Sequence, residues 1–170
     1  MSSVRAAPAL WTIVLLSAWL GAVLVFGVVV APAAFAVLPS RTLAGALVGR
    51  VLPALFWSGA LLGVLIAAML RRDDRSRSAR LASGIVMTLA CLGAQLVVAP
   101  QIEHARVAAA GPIDALAPSD PRRVTFGRLH GESVGLLAIA GLAAASALLM
   151  SAAAVTARPT LTLRESLDHG

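Results

Sequence analysis

Long apolar runs separated by short polar segments are the dominant pattern of the chain. The runs cover residues 6–40, 51–70, 81–102 and 133–157, and none contains an Asp, Glu, Lys or Arg. Each reaches the roughly 20 residues that a helix needs to cross a bilayer. None alternates with the two-residue period of a barrel strand. Because lipid cannot satisfy bare backbone, the pattern predicts an all-α polytopic membrane protein with four transmembrane helices in an up-down bundle.

Capping residues extend the predicted helices beyond the apolar runs. Asp120 and Pro121 form a typical helix start, so the fourth helix is predicted to begin near residue 121. Gly111 is typical of a helix end, and Ser40 or Thr42 is expected to cap the second helix. The predicted single domain has helices over about residues 8–38, 42–70, 80–110 and 121–156, followed by a short cytoplasmic tail at 157–170.

Prolines interrupt the odd-numbered helices. Pro32 and Pro39 are predicted to break the end of the first helix, and Pro100 is predicted to kink the third, because proline lacks a backbone donor and clashes with the preceding turn. The segment that ends at Pro32 (Val-Val-Val-Ala-Pro) resembles the one that ends at Pro100 (Leu-Val-Val-Ala-Pro). This echo suggests a duplicated hairpin with pseudo-symmetry.

Composition supports a membrane protein and disfavours other classes. The chain is 59% hydrophobic and 13% charged, whereas a soluble domain has about 25% charged residues. All fourteen basic residues are Arg, and they flank the apolar runs without interleaved aromatics, which disfavours nucleic-acid binding. Cys91 is the only cysteine, so an internal disulfide and a cysteine zinc cluster are excluded.

The first apolar run and the arginines indicate topology. Ala34, Phe35 and Ala36 mimic a signal-peptide cleavage site, but the run is about twice the 7–15 residues of a signal peptide and is therefore predicted to be retained. The linker after the second helix is the most arginine-rich; it contains Arg71, Arg72, Arg75, Arg77 and Arg80. The positive-inside rule then predicts both termini in the cytoplasm of a bacterial inner (cell) membrane.

Polar residues gather at the opposite, outer helix ends. They are Arg50, Glu103, His104, Arg106, Arg122, Arg123, Arg128, His130 and Glu132. One interpretation is a solvated rim of charges near the loops. The other is a functional site over the bundle mouth, because Glu132 enters the fourth apolar helix directly before its charge-free run, where a lone carboxylate is costly. The candidate polar site comprises Arg50, Glu103, His104, Arg128, His130, Glu132 and Ser133.

Helical spacing links several of these residues and also defines glycine ridges. Glu103 is one turn from Arg106, Arg128 is one turn from Glu132, and His130 shares a face with Ser133. The glycine ridges are Gly45 with Gly49, Gly59 with Gly63, and Gly127 with Gly131 and Gly135. Such ridges are expected to pack helices within the bundle, or to form a homo-oligomer.

Short motifs in order along nearly the whole chain resemble a known family. They are Gly21, the segment ending at Pro32, Phe35, Leu38, Ala44-Gly45 and the later Phe126-Gly127-Arg128-Leu129-His130-Gly131 with Ser133. Together they resemble the transmembrane-protein-205-like family, a domain of unknown function. The resemblance implies a four-helix membrane protein without an established reaction. The chain is also loosely similar to copper-resistance protein D, but it lacks the many Met and His residues expected of a protein that handles copper.

Three function classes follow from these residues. The favoured one is a non-enzymatic membrane protein in a transport, resistance or accessory role, without cofactor or metal, whose working site is the polar group. The alternative is a haem-binding redox protein that uses His104 and His130 as axial ligands. An intramembrane enzyme would have only Glu132 and His130 as acid and base, without a nucleophile or metal motif.

Overall fold

The chain folds into four helical segments that can each span a membrane. A computed structural model describes the backbone of residues 3–69 and 77–156, and no strand occurs among these residues. The four segments are α1 (Ser3–Val25), a first π turn (Phe26–Val30) and α2 (Ala31–Val37); α3 (Arg41–Ala68); α4 (Arg77–Gly93), a second π turn (Ala94–Val98) and α5 (Ala99–Ala108); and α6 (Pro121–Thr156). All four have the length and hydropathy of transmembrane helices, which confirms the predicted all-α four-helix class.

Two predicted regions fall outside this description. The cytoplasmic tail at 157–170 lies outside the described residues, as do Arg71, Arg72 and Arg75 of the arginine-rich linker. A short 3-10 turn (Ile113–Ala115) lies in the loop between α5 and α6.

The four segments form a ring in chain order. α1 and α4 each pack against both α3 and α6, whereas α3 hardly touches α6. Small and large apolar side chains fill the centre, including Leu16, Phe56, Met87, Cys91 and Ala144. Large apolar side chains such as Leu61, Leu89 and Leu142 point outward and are more than half exposed. An apolar exterior of this extent fits a lipid environment, because water would disfavour it.

Two glycines on α3 bring neighbouring helices close together. A Cβ on Gly59 would lie 2.7 Å from Cζ2 of Trp19 and 2.8 Å from Sγ of Cys91. A Cβ on Gly63 would meet Thr88 and lie 2.7 Å from the carbonyl oxygen of Gly84 on α4. This glycine ridge therefore packs within the bundle.

The ridge on α6 behaves differently. A Cβ added to Gly127, Gly131 or Gly135 would have no heavy atom of another element within 4 Å. The prediction that this ridge packs inside the bundle is therefore wrong for the described chain. α6 instead meets α1 and α4 through its alanines, among them Ala140 and Ala147.

Helix caps agree with the predicted starts. The Ser40 Oγ accepts a hydrogen bond from the backbone N–H of Leu43 at 3.2 Å, so Ser40 is the cap of α3. The Asp120 Oδ1 accepts from the backbone N–H of Arg122 at 2.9 Å, which confirms Asp120 as the cap of α6. α5 ends at Ala108, and its left-handed residue is Ala110 (φ 51°), one position before Gly111.

Pro32 does not break the first segment, and that prediction is wrong. Both Pro32 and Pro100 follow a π turn in which the helix continues. The N–H of Ala31 bonds to the carbonyl of Phe26, and the N–H of Ala99 bonds to the carbonyl of Ala94. A proline has no N–H to donate to the carbonyl four residues earlier, and its ring clashes with that carbonyl. The wider π turn before each proline relieves this clash, so the helix continues. The first segment ends at Val37, just before Pro39.

The bundle opens at the end that holds the α5–α6 loop. α3 packs extensively along α4 and still contacts the second π turn, but it hardly touches α5 beyond that turn. The gap is bounded by α2, the first half of α3, α5, the loop and the first half of α6. We call this end of the bundle the cavity end.

Candidate functional site

A cavity of about 360 Å³ fills the gap at the cavity end. Its lining residues are Phe35, Arg41, Thr42, Gly45, Val48, Gly49, Leu52, Ile102, Arg106, Gly111, Ile113, Asp114, Arg123, Phe126, Gly127, His130 and Ser133. The volume lies within the range of small-molecule sites, and the mixture of apolar walls with a few polar groups is typical of them.

Helical periodicity explains which side chains reach the cavity. On α3, Arg41, Gly45, Val48 and Leu52 recur at three- or four-residue intervals and therefore share one face. On α6, the first half presents one such face, which carries Arg123, His130 and Ser133 among others. α5 contributes Ile102 and Arg106, which are again one turn apart.

The lining carries more positive than negative charge. Three arginines, Arg41, Arg106 and Arg123, face a single carboxylate, that of Asp114. Arg106 is the partner of Glu103 (Nη1–Oε2 3.5 Å), and Arg123 Nη1 donates to the carbonyl of Leu116 at 2.7 Å. Arg41 has no ion pair or hydrogen bond within the described part of the chain. The excess of guanidinium groups favours an anionic occupant.

Arg106 reaches across the gap between α5 and α3. Its Nη2 lies 3.9 Å from the position that a Cβ on Gly49 would occupy. A side chain at residue 49 would therefore stand beside this guanidinium group. Because Gly49 has no side chain, the guanidinium group of Arg106 can lie against α3. Arg106 of α5 and Arg41 of α3 therefore both line the α3 side of the cavity.

Ser133 is a buried polar residue in the cavity lining whose hydroxyl has no partner within the described residues. Its residue is 6% exposed, and its hydroxyl makes no hydrogen bond within residues 3–69 and 77–156. By contrast, Ser146 and Ser151 on the same helix each donate to the carbonyl four residues earlier, at 2.9 and 2.7 Å. The Ser133 oxygen is not among the fully buried atoms without a partner, so water or a polar occupant of the cavity can bond to it.

His130 and Phe126 form a flat wall of the cavity. Their rings are parallel within 5°, with centroids 6.5 Å apart. This stacking orients the imidazole of His130, which has no hydrogen bond within the described chain.

The structure places two of the seven residues of the candidate polar site in the cavity lining. His130 and Ser133 line the cavity. The other five lie outside its lining: Arg50, Glu103, His104, Arg128 and Glu132. Arg128 pairs with Glu132 on the exterior of α6 at 3.3 Å, and the two side chains are 71% and 47% exposed. The carboxylate that enters the apolar run is thus partnered by an arginine one turn away.

Asp120 and Arg122 form a close pair beside the cavity. Arg122 donates to Asp120 from Nε at 3.1 Å and from Nη2 at 2.8 Å, in addition to its backbone N–H. These hydrogen bonds, first from the guanidinium and then from the backbone, lower the pKa of Asp120 to about 2. Arg122 is therefore committed to the helix cap and does not line the cavity.

Several cavity residues were not among the predicted site residues. Arg41, Thr42 and Asp114 are polar, but they stand at a helix start or in a loop, where charge is ordinary. Phe35 and Phe126 look like lipid-facing or core residues in the sequence. The chain offered one usable signal, the spacing of Arg123, Phe126 and His130 on one face of the fourth helix.

The described residues do not bring together the side chains that a metal ion or a haem would need as ligands. No group of three His, Cys, Asp or Glu side chains there is arranged to hold a metal ion. Both His104 and His130 are exposed, and of the two only His130 lines the cavity.

Comparison with known proteins identifies the membrane domain. A family model described as a domain of unknown function (DUF4149) matches residues 14–111, which is more than half of the chain. The match begins within α1, includes the second and third segments, and ends in the loop before α6. No curated protein and no solved structure matches the chain. The chain belongs to the DUF4149 family, a family of unknown function, and in this member the domain forms part of a four-helix membrane bundle.

Proposed function

We propose that the protein is a non-enzymatic membrane protein that binds a small anion in the cavity, in a transport, resistance or accessory role. The observation that carries the proposal is the combination of three cavity arginines with Ser133, a buried residue of the lining whose hydroxyl has no hydrogen bond within the described residues. Guanidinium groups in a partly apolar pocket attract anions strongly, because solvent screens them less there than at an open surface.

The arrangement of polar groups favours binding over catalysis. His130 lines the cavity, but Glu132 is outside its lining and pairs with Arg128. An acid and a base that serve one reaction have to reach the same substrate. A haem site with His104 and His130 as axial ligands is less well supported for a similar reason, since only His130 lines the cavity.

The experiment is thermal unfolding of purified protein in a neutral detergent, with inorganic phosphate, acetate or benzoate compared against equal ionic strength of chloride. A bound anion stabilises the folded state by about 2.7 kcal/mol at 100 times its Kd. We expect a rise in Tm for at least one anion, and loss of that rise in Arg41→Gln. Arg50→Gln is the matched control, because Arg50 stands on the same helix outside the cavity lining. Unchanged Tm with all three anions would refute the proposal.

The location is proposed from the arginine distribution. The even number of spans puts both termini on one side, and the arginine-rich linker favours the cytoplasm for that side. The cavity then opens on the opposite face of the cell membrane, of the bacterial inner-membrane type. A cysteine at Asp114 in a Cys91→Ala background should react with an impermeant maleimide in intact cells. Reaction only after lysis would reverse the topology.

The protein is also proposed to form a homo-oligomer through α6. Gly131 and Gly135 are exposed and have open space where a side chain would extend, so a second copy has room to approach the backbone. Gly131→Leu should reduce the oligomer size measured by light scattering in detergent, and Gly45→Leu is the control on α3. An unchanged mass in Gly131→Leu would remove this idea without affecting the anion site.

The resemblance to the transmembrane-protein-205-like family, which is more specific than membership of the DUF4149 family, stays a prediction from the motif residues. Six of those motif residues line the cavity: Phe35, Gly45, Phe126, Gly127, His130 and Ser133. This placement supports a shared site, and a binding assay on a member of that family with the same anions would test it.

A further inference from the structure

The cavity is charged at one level and apolar at another. Arg41 begins α3, and Arg123 lies in the first turn of α6, so both stand beside the α5–α6 loop. Leu52 and Ser133 line the same cavity about 15 Å deeper along these helices, at 1.5 Å per residue. On α5, which runs toward the loop, Ile102 lies one turn deeper than Arg106.

Each level has its own chemistry. The shallow level holds Arg41 and Arg123 with Asp114, whereas the guanidinium of Arg106 lies beside Gly49, nearer to Leu52, and pairs with Glu103. The deep level is lined by apolar groups, including Leu52 and Ile102, and by the hydroxyl of Ser133, with the imidazole of His130 one turn closer to the loop. A small inorganic anion would meet the arginines but leave the deep walls and this hydroxyl without contacts.

We propose that the occupant is an amphipathic organic anion with a hydrogen-bonding group at its far end. Its carboxylate or phosphate monoester lies between Arg41 and Arg123, its apolar body lies against Leu52 and Ile102, and its distal hydroxyl or carbonyl bonds to Ser133. This inference rests on the proposed function, because it specifies the ligand of the same cavity. It also gives the ligand the orientation of a lipid, with the charge toward the membrane surface and the apolar body toward the bilayer.

The binding experiment uses the full chain in phosphatidylcholine nanodiscs with tritiated decanoate, and empty nanodiscs correct for partitioning. Four unlabelled competitors separate the parts of the ligand: acetate carries only the charge, 1,10-decanediol only the body and hydroxyl, decanoate the charge and body, and 10-hydroxydecanoate all three. We expect 10-hydroxydecanoate to compete best, decanediol to need at least tenfold more, and acetate at least a hundredfold more.

Variants connect each part of the probe to a residue. Arg41→Gln should weaken decanoate binding at least tenfold, while Arg50→Gln should stay within twofold of wild type. Ser133→Ala should remove the advantage of 10-hydroxydecanoate over decanoate, and Ser146→Ala should keep it, since the Ser146 hydroxyl already bonds within its helix. Circular dichroism of each variant checks that the fold is intact. Arg41→Gln should leave the fold unchanged, because Arg41 makes no hydrogen bond or ion pair with another described residue.

The outcomes separate this inference from the proposed function. If acetate competes as well as decanoate, or decanediol as well as the acid, the amphipathic ligand is refuted, and anion-dependent Tm shifts would still support the simpler site. If decanoate does not bind and no anion raises Tm, both proposals fail. Replacing phosphatidylcholine with phosphatidylglycerol distinguishes the sources: weaker decanoate binding means that a bilayer lipid supplies the anion, and unchanged binding means that a free acid does.

Discussion

Gly63 of α3 and Gly84 of α4 lie in reciprocal backbone contact. A Cβ on Gly63 would be 2.7 Å from the carbonyl oxygen of Gly84, and a Cβ on Gly84 would be 2.7 Å from the carbonyl oxygen of Gly63. The contact lies toward the end of the bundle opposite the cavity. It holds α3 and α4 together there, while α3 and α5 stay apart at the cavity end.

Replacing Gly84 with Ala should destabilise the bundle. The added methyl meets backbone atoms on α3, which cannot move aside as a flexible side chain can. We expect the free energy of unfolding to fall by about 1–3 kcal/mol, the usual cost of overpacking. Thermal or dodecyl-sulfate unfolding followed by circular dichroism measures it. Gly135→Ala is the control, because its Cβ would meet nothing within 4 Å; equal losses in both variants would contradict the contact.

Trp19 should contribute more to the free energy of unfolding than an exposed tryptophan does. Its Nε1 donates to the carbonyl of Leu55 at 3.0 Å and its ring packs on Gly59, which connects α1 to α3. Trp19→Phe loses that hydrogen bond, at a cost of about 0.5–1.5 kcal/mol. The same unfolding assay should show little change for Trp57→Phe, since Trp57 is half exposed on α3. A larger loss in Trp57→Phe would show that α1 is not held in this way.

Asp120 should make the start of α6 sensitive to low pH. Its pKa in the folded protein, about 2, lies below the ordinary value of 3.8, so folding favours the carboxylate. The stabilisation is therefore complete above about pH 4 and is lost as pH falls through about 2. Carbon-13 NMR of the carboxyl group should give this low pKa, and hydrogen exchange of the first turn of α6 should speed up over that range.

Two variants isolate the contribution of this cap. Asp120→Asn keeps an oxygen acceptor but cannot titrate, so the low-pH change in the first turn of α6 should disappear. Asp114→Asn, in the same loop, should leave that change in place. Persistence of the pH response in Asp120→Asn would assign it to another group.

Ala110 should gain stability when replaced by glycine. Its φ of 51° lies in the left-handed region, which costs a residue with a Cβ about 1–2 kcal/mol. Ala110→Gly removes that cost and should raise the free energy of unfolding by about 1 kcal/mol. Ala109→Gly is the control and should lower it, because Ala109, the C-cap of α5, has right-handed helical backbone angles and is buried. A loss of stability in Ala110→Gly would contradict this backbone geometry.

The sequence alone could predict the fold class and several helix ends. Apolar runs of membrane length without charge leave helices as the only spanning structure for backbone in lipid, and this constraint needs no tertiary information. The caps at Ser40 and Asp120 were likewise predictable, since a cap bonds within three residues of itself. Pro32 was misjudged because a helix can pass a proline through a π turn, and the sequence pattern did not distinguish this outcome from a break.

The tertiary structure decided which polar residues share a site. His130 and Ser133 could be placed together by helical spacing, but Arg41 and Arg106 join them only because α3 and α5 separate beyond the second π turn. Spacing also could not assign Glu132, Arg128 and His104 to the exterior, because the rotation of a helix depends on what its neighbours bury. Local backbone chemistry thus determines the helices and their ends, whereas the composition of the cavity depends on contacts between residues far apart in the chain.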